Sequence, residues 1–312
     1  MGGGQTRCVR LADTASVALR LRRMSIRVIR TVTELRAACE LARGAGERVA
    51  LVPTMGALHE GHLALVRRAQ DKNRFVVVSI FVNKTQFGPG EDFARYPRDL
   101  DSDVQKLQAL GALVVFAPEH RELYDADEQT RVRVGALSEP LCGRFRPGHF
   151  EGVSTVVAKL FALVAPCDAI FGRKDYQQLL VVRRMARDLL LPVEVHGHPI
   201  VREADGLAMS SRNRYLVPQE RIRALAIVRG LDAAARRFGA GERRVGELER
   251  TARDAIEPVA TSIDYVELRD ATTLAPVGHA VDAPALLAVA CYIGTTRLID
   301  NLVLGEDAAP LG

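Results

Sequence analysis

Two histidines three residues apart, His59 and His62, stand where an apolar strand pattern gives way to a helical pattern. The segment from Pro53 reads Pro-Thr-Met-Gly-Ala-Leu-His-Glu-Gly-His, after the apolar run 49–52 and before the helical pattern 63–69. A helix start offers unpaired backbone N–H groups and a partial positive charge. Both imidazoles lie on one helix face and can donate to phosphate oxygens, or to the charge that develops when phosphorus is attacked. The segment therefore predicts a phosphate-handling turn.

Two other interpretations of these histidines stay open. A histidine at a helix start is usually a cap or a surface residue. A zinc site is the second alternative, but the spacing is one residue shorter than in the His-Glu-x-x-His helix of metalloproteases, and no third ligand is near in the sequence. The pattern disfavours zinc for both reasons.

Two polar clusters follow the apolar run 75–82. Asn83 and Gln86 carry neutral amides, which orient hydroxyls and a carboxylate without neutralising them. Glu91 and Asp92 form an acidic pair that can hold Mg²⁺ directly or through water. The alternatives are turn residues for the amides and a solvated helix cap for the acids.

A second strand-to-helix junction, Phe171 to Gln178, carries phosphate-binding residue types. Lys174 can reach phosphates as a point charge, Asp175 can cap the helix or orient a metal or ribose, and Gln178 faces the same way as Lys174. The loop Asp205–Asn213 combines glycine, two hydroxyls and a guanidinium, which suits a mobile clamp on a triphosphate. Each cluster alone is equally an ordinary polar loop, but clusters at successive strand ends together indicate a nucleotide site.

The elements that must position these clusters alternate between strands and helices. The run Phe75–Val82 is continuously apolar, which is typical of a parallel strand covered on both faces. The alternation predicts an α/β fold with a doubly wound parallel sheet, which binds ligands at the carboxyl ends of its strands. The strands are predicted at 49–52, 75–82, 113–116, 169–171 and 193–195, and the helices at 33–45, 63–72, 100–110 and 177–190.

The pattern changes after Pro199. Helices are predicted at 224–238 and 245–256, and strands of a small antiparallel sheet at 263–268, 285–291 and 297–303. We therefore expect three parts: an extension at 1–23 with no strong periodicity, which we expect to be disordered, a Rossmann-like domain at 24–198, and a smaller α+β C-terminal lid domain at 199–312.

Composition narrows the class of protein. The chain has 312 residues and a net charge of +5, but five arginines and one aspartate precede Met24, so the remainder is nearly neutral. This disfavours a nucleic-acid binder. The apolar stretches are too short to span a membrane. Five scattered cysteines without a Cys-x-x-Cys pair indicate a reduced, cytoplasmic protein. The first residues also fit a loose myristoylation pattern and a faint transit-peptide composition.

The clusters in their order resemble the pantothenate synthetase family, which belongs to the nucleotidyltransferase-like superfamily with His-x-Gly-His signatures. The resemblance covers about residues 24–304. Besides the histidine segment, it includes Tyr96-Pro-Arg, Arg146-Pro-Gly-His-Phe150, Phe171-Gly-Arg-Lys-Asp175 and Asp205-Gly-Leu-Ala-Met-Ser-Ser-Arg-Asn213. It implies a Rossmann-like fold of the nucleotidyltransferase type, usually a homodimer joined through the N-terminal domain.

The resemblance also implies a reaction: ATP-dependent condensation of pantoate with β-alanine through pantoyl adenylate, releasing AMP and pyrophosphate with the help of Mg²⁺. By the resemblance, His62 is the proton donor, with His59, Lys174 and Arg212 beside it on the phosphates. Gln86 and Gln178 clasp pantoate, and Gln86 also lies near β-alanine. Asn83 and Arg146 are further candidates for binding these two substrates, and Glu91 and Asp92 are candidate Mg²⁺ ligands. The implied ATP contacts are Met55, Gly56, Ala57, Leu58, His59, Glu60, Gly61, His62, Gly172, Arg173, Lys174, Asp175, Val201, Met209, Ser210, Ser211 and Arg212.

One position departs from the family pattern. The family usually has proline where this chain has Lys84. The lysine charge could attract the pantoate or β-alanine carboxylate, but we expect Lys84 to point to solvent.

Three other functions fit these residues less well than the family does. A nicotinamide dehydrogenase is disfavoured because no Gly-x-Gly-x-x-Gly opens the first helix. An adenylyltransferase acting on a phosphate would need arginine or lysine where Gln86 and Gln178 stand. A non-catalytic nucleotide-binding module would not need the intact histidine, lysine and Ser-Ser-Arg set.

Overall fold

The computed structural model describes residues 26–73, 75–111 and 114–312. The extension expected at 1–23 and Leu113, which was assigned to a predicted strand, lie outside the described residues. No helix within these ranges is long and apolar enough to cross a lipid bilayer.

A six-stranded, wholly parallel sheet forms the centre of the first part of the chain, with strand order β1-β4-β3-β2-β5-β6. The predicted doubly wound sheet is confirmed. The prediction missed β1, whose three residues pair with β4 but are too few to show a strand pattern. The strands are β1 (Arg27–Ile29), β2 (Val49–Thr54), β3 (Phe75–Ile80), β4 (Val114–Phe116), β5 (Cys167–Gly172) and β6 (Val193–His198).

Helices cover both faces of this sheet, as the apolar strand sequences require. Along β2, Val49 and Leu51 pack into one apolar cluster, whereas Ala50 and Val52 pack into another. Successive side chains of a strand point to opposite faces, so two clusters mean two covered faces. The helices are α1 (Val32–Gly44), α2 (Glu60–Gln70), α3 (Leu100–Gln108), α4 (His120–Leu123), α5 (Cys142–Phe145), α6 (His149–Val164) and α7 (Tyr176–Asp188).

After His198, the last residue of the large sheet, the chain forms a helical layer and a second, smaller sheet that pack against each other. Two helices, α8 (Pro218–Gly239) and α9 (Val245–Ile256), pack on an antiparallel sheet of β7 (Ser262–Asp270), β8 (Ala285–Ile293) and β9 (Thr296–Leu304). The predicted helix 245–256 has the bounds of α9, and the small antiparallel sheet is confirmed. The domain boundary near residue 199 stays a prediction.

Candidate active site

A cleft of about 220 Å³ opens at the carboxyl ends of β2 and β5. These neighbours pair only through Ala50 with Asp168 and Leu51 with Ala169, although both strands continue further. β3 and β4 extend the sheet on one side of β2, whereas β5 and β6 extend it on the other, so this is the topological switch point of the sheet. Ligands of doubly wound sheets bind there because the two sets of loops part.

The turn between β2 and α2 has two consecutive residues with positive φ, Gly56 at 81° and Ala57 at 51°. The N–H groups of Ala57 and Leu58 donate to the two carboxylate oxygens of Asp103 at 2.8 and 2.7 Å. A non-glycine residue in this region costs about 1–2 kcal/mol, so these contacts stabilise a strained turn. Because the turn curls onto α3, His59 becomes the N-cap of α2 and His62 lies in its first turn.

The sequence predicted ATP contacts for every residue from Met55 to His62, and the structure divides them. Met55, His59, Gly61 and His62 line the cleft. Ala57 and Leu58 are buried, with their N–H groups used by Asp103, so neither offers a donor to a phosphate. Gly56 and Glu60 do not line the cleft either, and the Glu60 side chain pairs with Arg67 on the outer face of α2.

The two imidazole rings lie against each other with centroids 4.0 Å apart and their planes tilted by 32°. Burial, and then the charge of Lys174, lower the pKa of His59 to about 4, and burial with the neighbouring His59 and Lys174 holds the pKa of His62 well below 6.5. Both rings are therefore neutral at pH 7. Nδ1 of His62 accepts from the His59 N–H at 3.4 Å, so its proton is on Nε2, where the neutral ring is a hydrogen-bond donor.

The junction after β5 places the second set of predicted residues. Gly172, Lys174, Asp175 and Gln178 line the cleft, as their strand-end position predicted. Arg173, also predicted to contact ATP, does not line the cleft, and its guanidinium pairs with Asp307, with N–O of 3.0 Å, and with Glu306.

Gln86 reaches the cleft from the loop after β3, but Asn83 does not. Asn83 is 1% exposed and donates to Gln86 Oε1 at 3.2 Å and to the Gly152 carbonyl at 3.1 Å. Its own oxygen accepts from Thr85. The predicted binding residue Asn83 therefore orients Gln86, whose Nε2 lies 3.3 Å from Met55 Sδ.

His149 is a cleft residue to which the sequence analysis assigned no role, although it lies in the Arg146-Pro-Gly-His motif. One ring nitrogen is 2.8 Å from the Gln86 carbonyl oxygen and the other is 3.0 Å from Arg146. Because the Gln86 oxygen can only accept, His149 Nδ1 carries the proton and Nε2 accepts from Arg146. Burial, reinforced by the Arg146 charge, lowers the pKa of His149 to about 3. The ring is a neutral link between Gln86 and Arg146.

The acidic pair proposed for Mg²⁺ is engaged by arginines. Glu91 accepts from Arg146 at 2.7 and 2.6 Å, and Asp92 accepts from Arg212 at 2.9 and 2.7 Å. All four carboxylate oxygens are thus used in charge-assisted bonds, a donor set that does not fit a metal site. The pairs instead connect the 91–92 segment to Arg146, which directly follows α5, and to the 205–213 loop, where Tyr96 Oη also lies 3.3 Å from Ser211 Oγ.

Asp175 differs from Glu91 and Asp92 in having no arginine partner among the described residues. It is exposed, lines the cleft, and forms no ion pair or hydrogen bond through its side chain with the described residues. Within the same ranges, the grouping with metal-ligand spacing is Asp168, Glu194 and His196, which lies towards the amino ends of β5 and β6 and includes an Asp168 already paired with Arg48.

The 205–213 loop completes the cleft. Met209, Ser210, Ser211 and Arg212 line it as predicted, together with Val201. Its backbone is held from both ends, since the Met209 N–H donates to the Val201 carbonyl at 3.0 Å and Ser210 Oγ accepts from the Arg212 N–H at 3.2 Å.

A switch-point cleft with a helix N-terminus on one wall and cations on the other defines the class of protein: a doubly wound α/β enzyme that binds a nucleotide. A family model described as pantoate-beta-alanine ligase matches residues 27–303, nearly the whole described chain. The chain belongs to this family, and the family's reaction is the ATP-dependent condensation of pantoate with β-alanine. The resemblance drawn from the motifs is confirmed, and so are the enzyme class and the place in pantothenate biosynthesis.

Relatives and solved structures agree with this assignment. The pantothenate synthetase of Geobacter sulfurreducens is 53% identical over 90% of this chain and 100% of its own length, and pantothenate synthetase 1 of Bradyrhizobium diazoefficiens is 53% identical over 89% and 98%. The crystal structure of the Thermus thermophilus enzyme superposes with a TM-score of 0.84 at 51% identity, covering 89% of this chain and 99% of that one. A Francisella tularensis pantoate–β-alanine ligase, solved with a βγ-ATP ligand and β-alanine, has a TM-score of 0.71 at 28% identity over 91% and 99%.

Proposed function

We propose that both half-reactions occur in the cleft between β2 and β5. In the first, a pantoate carboxylate oxygen attacks the α-phosphorus of ATP, and the bond to pyrophosphate breaks. In the second, the β-alanine amine attacks the carbonyl of pantoyl adenylate, the bond to AMP breaks, and the amine loses a proton. The carrying observation is that His62, Lys174, Gln86 and Gln178 line one cleft. Positioning and charge stabilisation supply the catalysis.

ATP lies along the wall formed by the α2 N-terminus and the 205–213 loop. Nε2–H of the neutral His62 donates to a phosphate oxygen, and the pKa of the ring rises as negative charge develops there. Lys174 contributes the positive charge that balances the expelled pyrophosphate, and Arg212, whose charge Asp92 balances, offers its remaining N–H donors to the phosphates. The proposed ATP contacts that line the cleft are Met55, His59, Gly61, His62, Gly172, Lys174, Asp175, Val201, Met209, Ser210, Ser211 and Arg212.

Pantoate binds between Gln86 and Gln178. These neutral amides bond to its hydroxyls and carboxylate but leave the carboxylate negative, and it needs that charge to act as a nucleophile. The nearby cation Arg146 is balanced by Glu91, so this end of the cleft does not favour a phosphorylated substrate over a carboxylate. This contact supports carboxylate activation over the alternative of an adenylyltransferase acting on a phosphate.

Mg²⁺ enters with ATP in this proposal. Mg²⁺ in such sites is held by phosphate oxygens, waters and one or two carboxylates, and Asp175 is the cleft carboxylate without an ion-pair partner among the described residues. When bound, the ion neutralises charge on the phosphates.

Three further properties belong to the proposal. Four described cysteines are free and buried, which supports a reducing, cytoplasmic location. A homodimer is supported by family membership. The division at residue 199 is supported by separate apolar clusters around the two sheets.

The test is AMP formation from ATP, pantoate and β-alanine, with each omitted in turn, and pyrophosphate exchange into ATP. Exchange that requires pantoate but not β-alanine supports the adenylate, whereas release of ADP contradicts it. His62→Ala should abolish exchange while remaining folded. His279→Ala, at an exposed position outside the cleft, is the control. Wild-type turnover in His62→Ala would remove His62 from the mechanism.

A further inference from the structure

Asp103 is a buried carboxylate outside the cleft that nevertheless contacts the backbone of the histidine turn. It lies on α3, is 1% exposed, and divides its two oxygens between the N–H groups of Ala57 and Leu58. Successive backbone N–H groups in a turn form a concavity that binds anions. In this turn the anion is the Asp103 carboxylate of the protein itself. The backbone donors that remain for the phosphates of ATP are therefore those of the first turn of α2, after His59.

Lys106, one helical turn beyond Asp103, holds the other side of the same backbone. Its Nζ donates to the Leu58 carbonyl at 2.9 Å and lies 3.7 Å from Asp103 Oδ1. Two side chains of α3 therefore fix one polar group in each of three consecutive peptides, 56–57, 57–58 and 58–59. Their opposite charges also balance each other, which lowers the cost of burying the carboxylate.

The peptide that Lys106 holds also sets the orientation of the His62 ring. The Leu58 carbonyl and the His59 N–H belong to one planar peptide group, so fixing the carbonyl fixes the direction of the N–H. That N–H donates to His62 Nδ1. The contact chain therefore runs from α3, through the 58–59 peptide, to the ring nitrogen whose bond decides that Nε2 carries the proton.

We infer that Asp103 and Lys106 are positioning residues for the reaction, which hold the 57–59 backbone so that the His62 ring presents Nε2–H to the phosphates. The inference rests on the proposed role of His62. It assigns no contact with substrate to Asp103 or Lys106. A loosened turn lets the His59 N–H swing away, after which the ring can rotate or carry its proton on Nδ1. Misplacing a group by about 1 Å costs on the order of 100-fold in rate.

Asp103→Asn tests the inference because the amide keeps the size of the side chain but presents an NH₂ to one of the two N–H groups. We expect pyrophosphate exchange to slow by about 30-fold or more in kcat, as is usual for losing a preorganised donor. Asp101→Asn, the same change at an exposed position two residues earlier, is the matched control and should stay near wild type. If Asp103 only stabilised the turn, the variant would yield less folded protein, but the folded fraction would keep the wild-type kcat.

The direct readout is ¹⁵N NMR of histidine-labelled protein, which reports the tautomer of each ring. Wild type should show His62 protonated on Nε2, and Asp103→Asn should shift the signals towards a mixture of tautomers. Lys106→Met serves if Asp103→Asn does not fold, and should give a smaller change in the same direction. Wild-type His62 signals and exchange rate in a folded Asp103→Asn, or in Lys106→Met, overturn the inference. An active His62→Ala would instead overturn the proposed function, so the two failures are distinguishable.

Discussion

A single methyl group added at Gly152 should impair pantoate binding, although Gly152 does not line the cleft. Gly152 lies in α6, and a Cβ there would stand 2.5 Å from the Thr85 carbonyl oxygen and 2.7 Å from the Gln86 nitrogen. Ordinary contacts begin near 3.4 Å. The atoms that the new Cβ would meet belong to the backbone, which cannot rotate out of the way as a side chain can. Gly152→Ala must therefore push the 85–86 segment away from α6.

The size of the effect follows from that displacement. Relieving the closest contact needs a shift of roughly 0.9 Å, the difference between 3.4 and 2.5 Å. The shift strains the bonds that orient Gln86, namely those from Asn83 to Gly152 and from His149 to the Gln86 carbonyl. A misplacement of about 1 Å costs on the order of 100-fold. We expect kcat/KM for pantoate to fall about 30- to 100-fold, or ~2–2.7 kcal/mol.

The assay is steady-state kinetics with pantoate varied at saturating ATP and β-alanine, beside a direct titration of ATP binding. ATP affinity should stay within about twofold, because the displaced segment holds Gln86 rather than the α2 turn. Gly246→Ala, at a helical glycine of α9 with no atom within 4 Å of the added Cβ, is the control. A folded Gly152→Ala with kcat/KM for pantoate within threefold of wild type would refute this reasoning.

Three further predictions follow from the loops and side chains around the cleft. Lys84 is exposed at the first position of a 3-10 turn, so Lys84→Pro should change KM for pantoate by less than ~threefold, under ~0.7 kcal/mol, and a tenfold change contradicts this. The pKa of His149 is about 3 in the folded protein and near 6.5 unfolded, so its stabilisation is complete above pH 6.5 and is lost as pH falls towards 3. At pH 5 the free energy of unfolding should be lower by ~2 kcal/mol for this reason. Urea unfolding of His149→Gln should lack this pH-dependent loss, and the same pH dependence in both proteins would contradict the prediction. Asp92→Asn should leave the Mg²⁺ concentration for half-maximal activity within ~twofold while Asp175→Asn raises it, and the reverse ranking in a Mg²⁺ titration would restore the acidic pair as metal ligands.

The sequence predicted most of the long elements, and its omissions have physical causes. The amphipathic helix α9 shows its period plainly and has the predicted bounds. No helix was predicted at α6, whose residues are buried on most sides, so its sequence lacks the polar stripe that marks a surface helix. The short β1 is visible only through its pairing with β4.

The histidine pair, the strand-end glutamines and the Lys174 junction were accessible from sequence, because covalent geometry and helix periodicity set which residues share a turn. The partners of the charged residues were not. Asp92 meets Arg212 across 120 residues and Asp103 meets the histidine turn across 46, and only the packing of separate elements brings such atoms together. The sequence by itself therefore determined the reaction class and many of the groups that line the cleft. The tertiary structure decided which acids are free for a metal, which side chains orient others, and which nitrogen of His62 holds the proton.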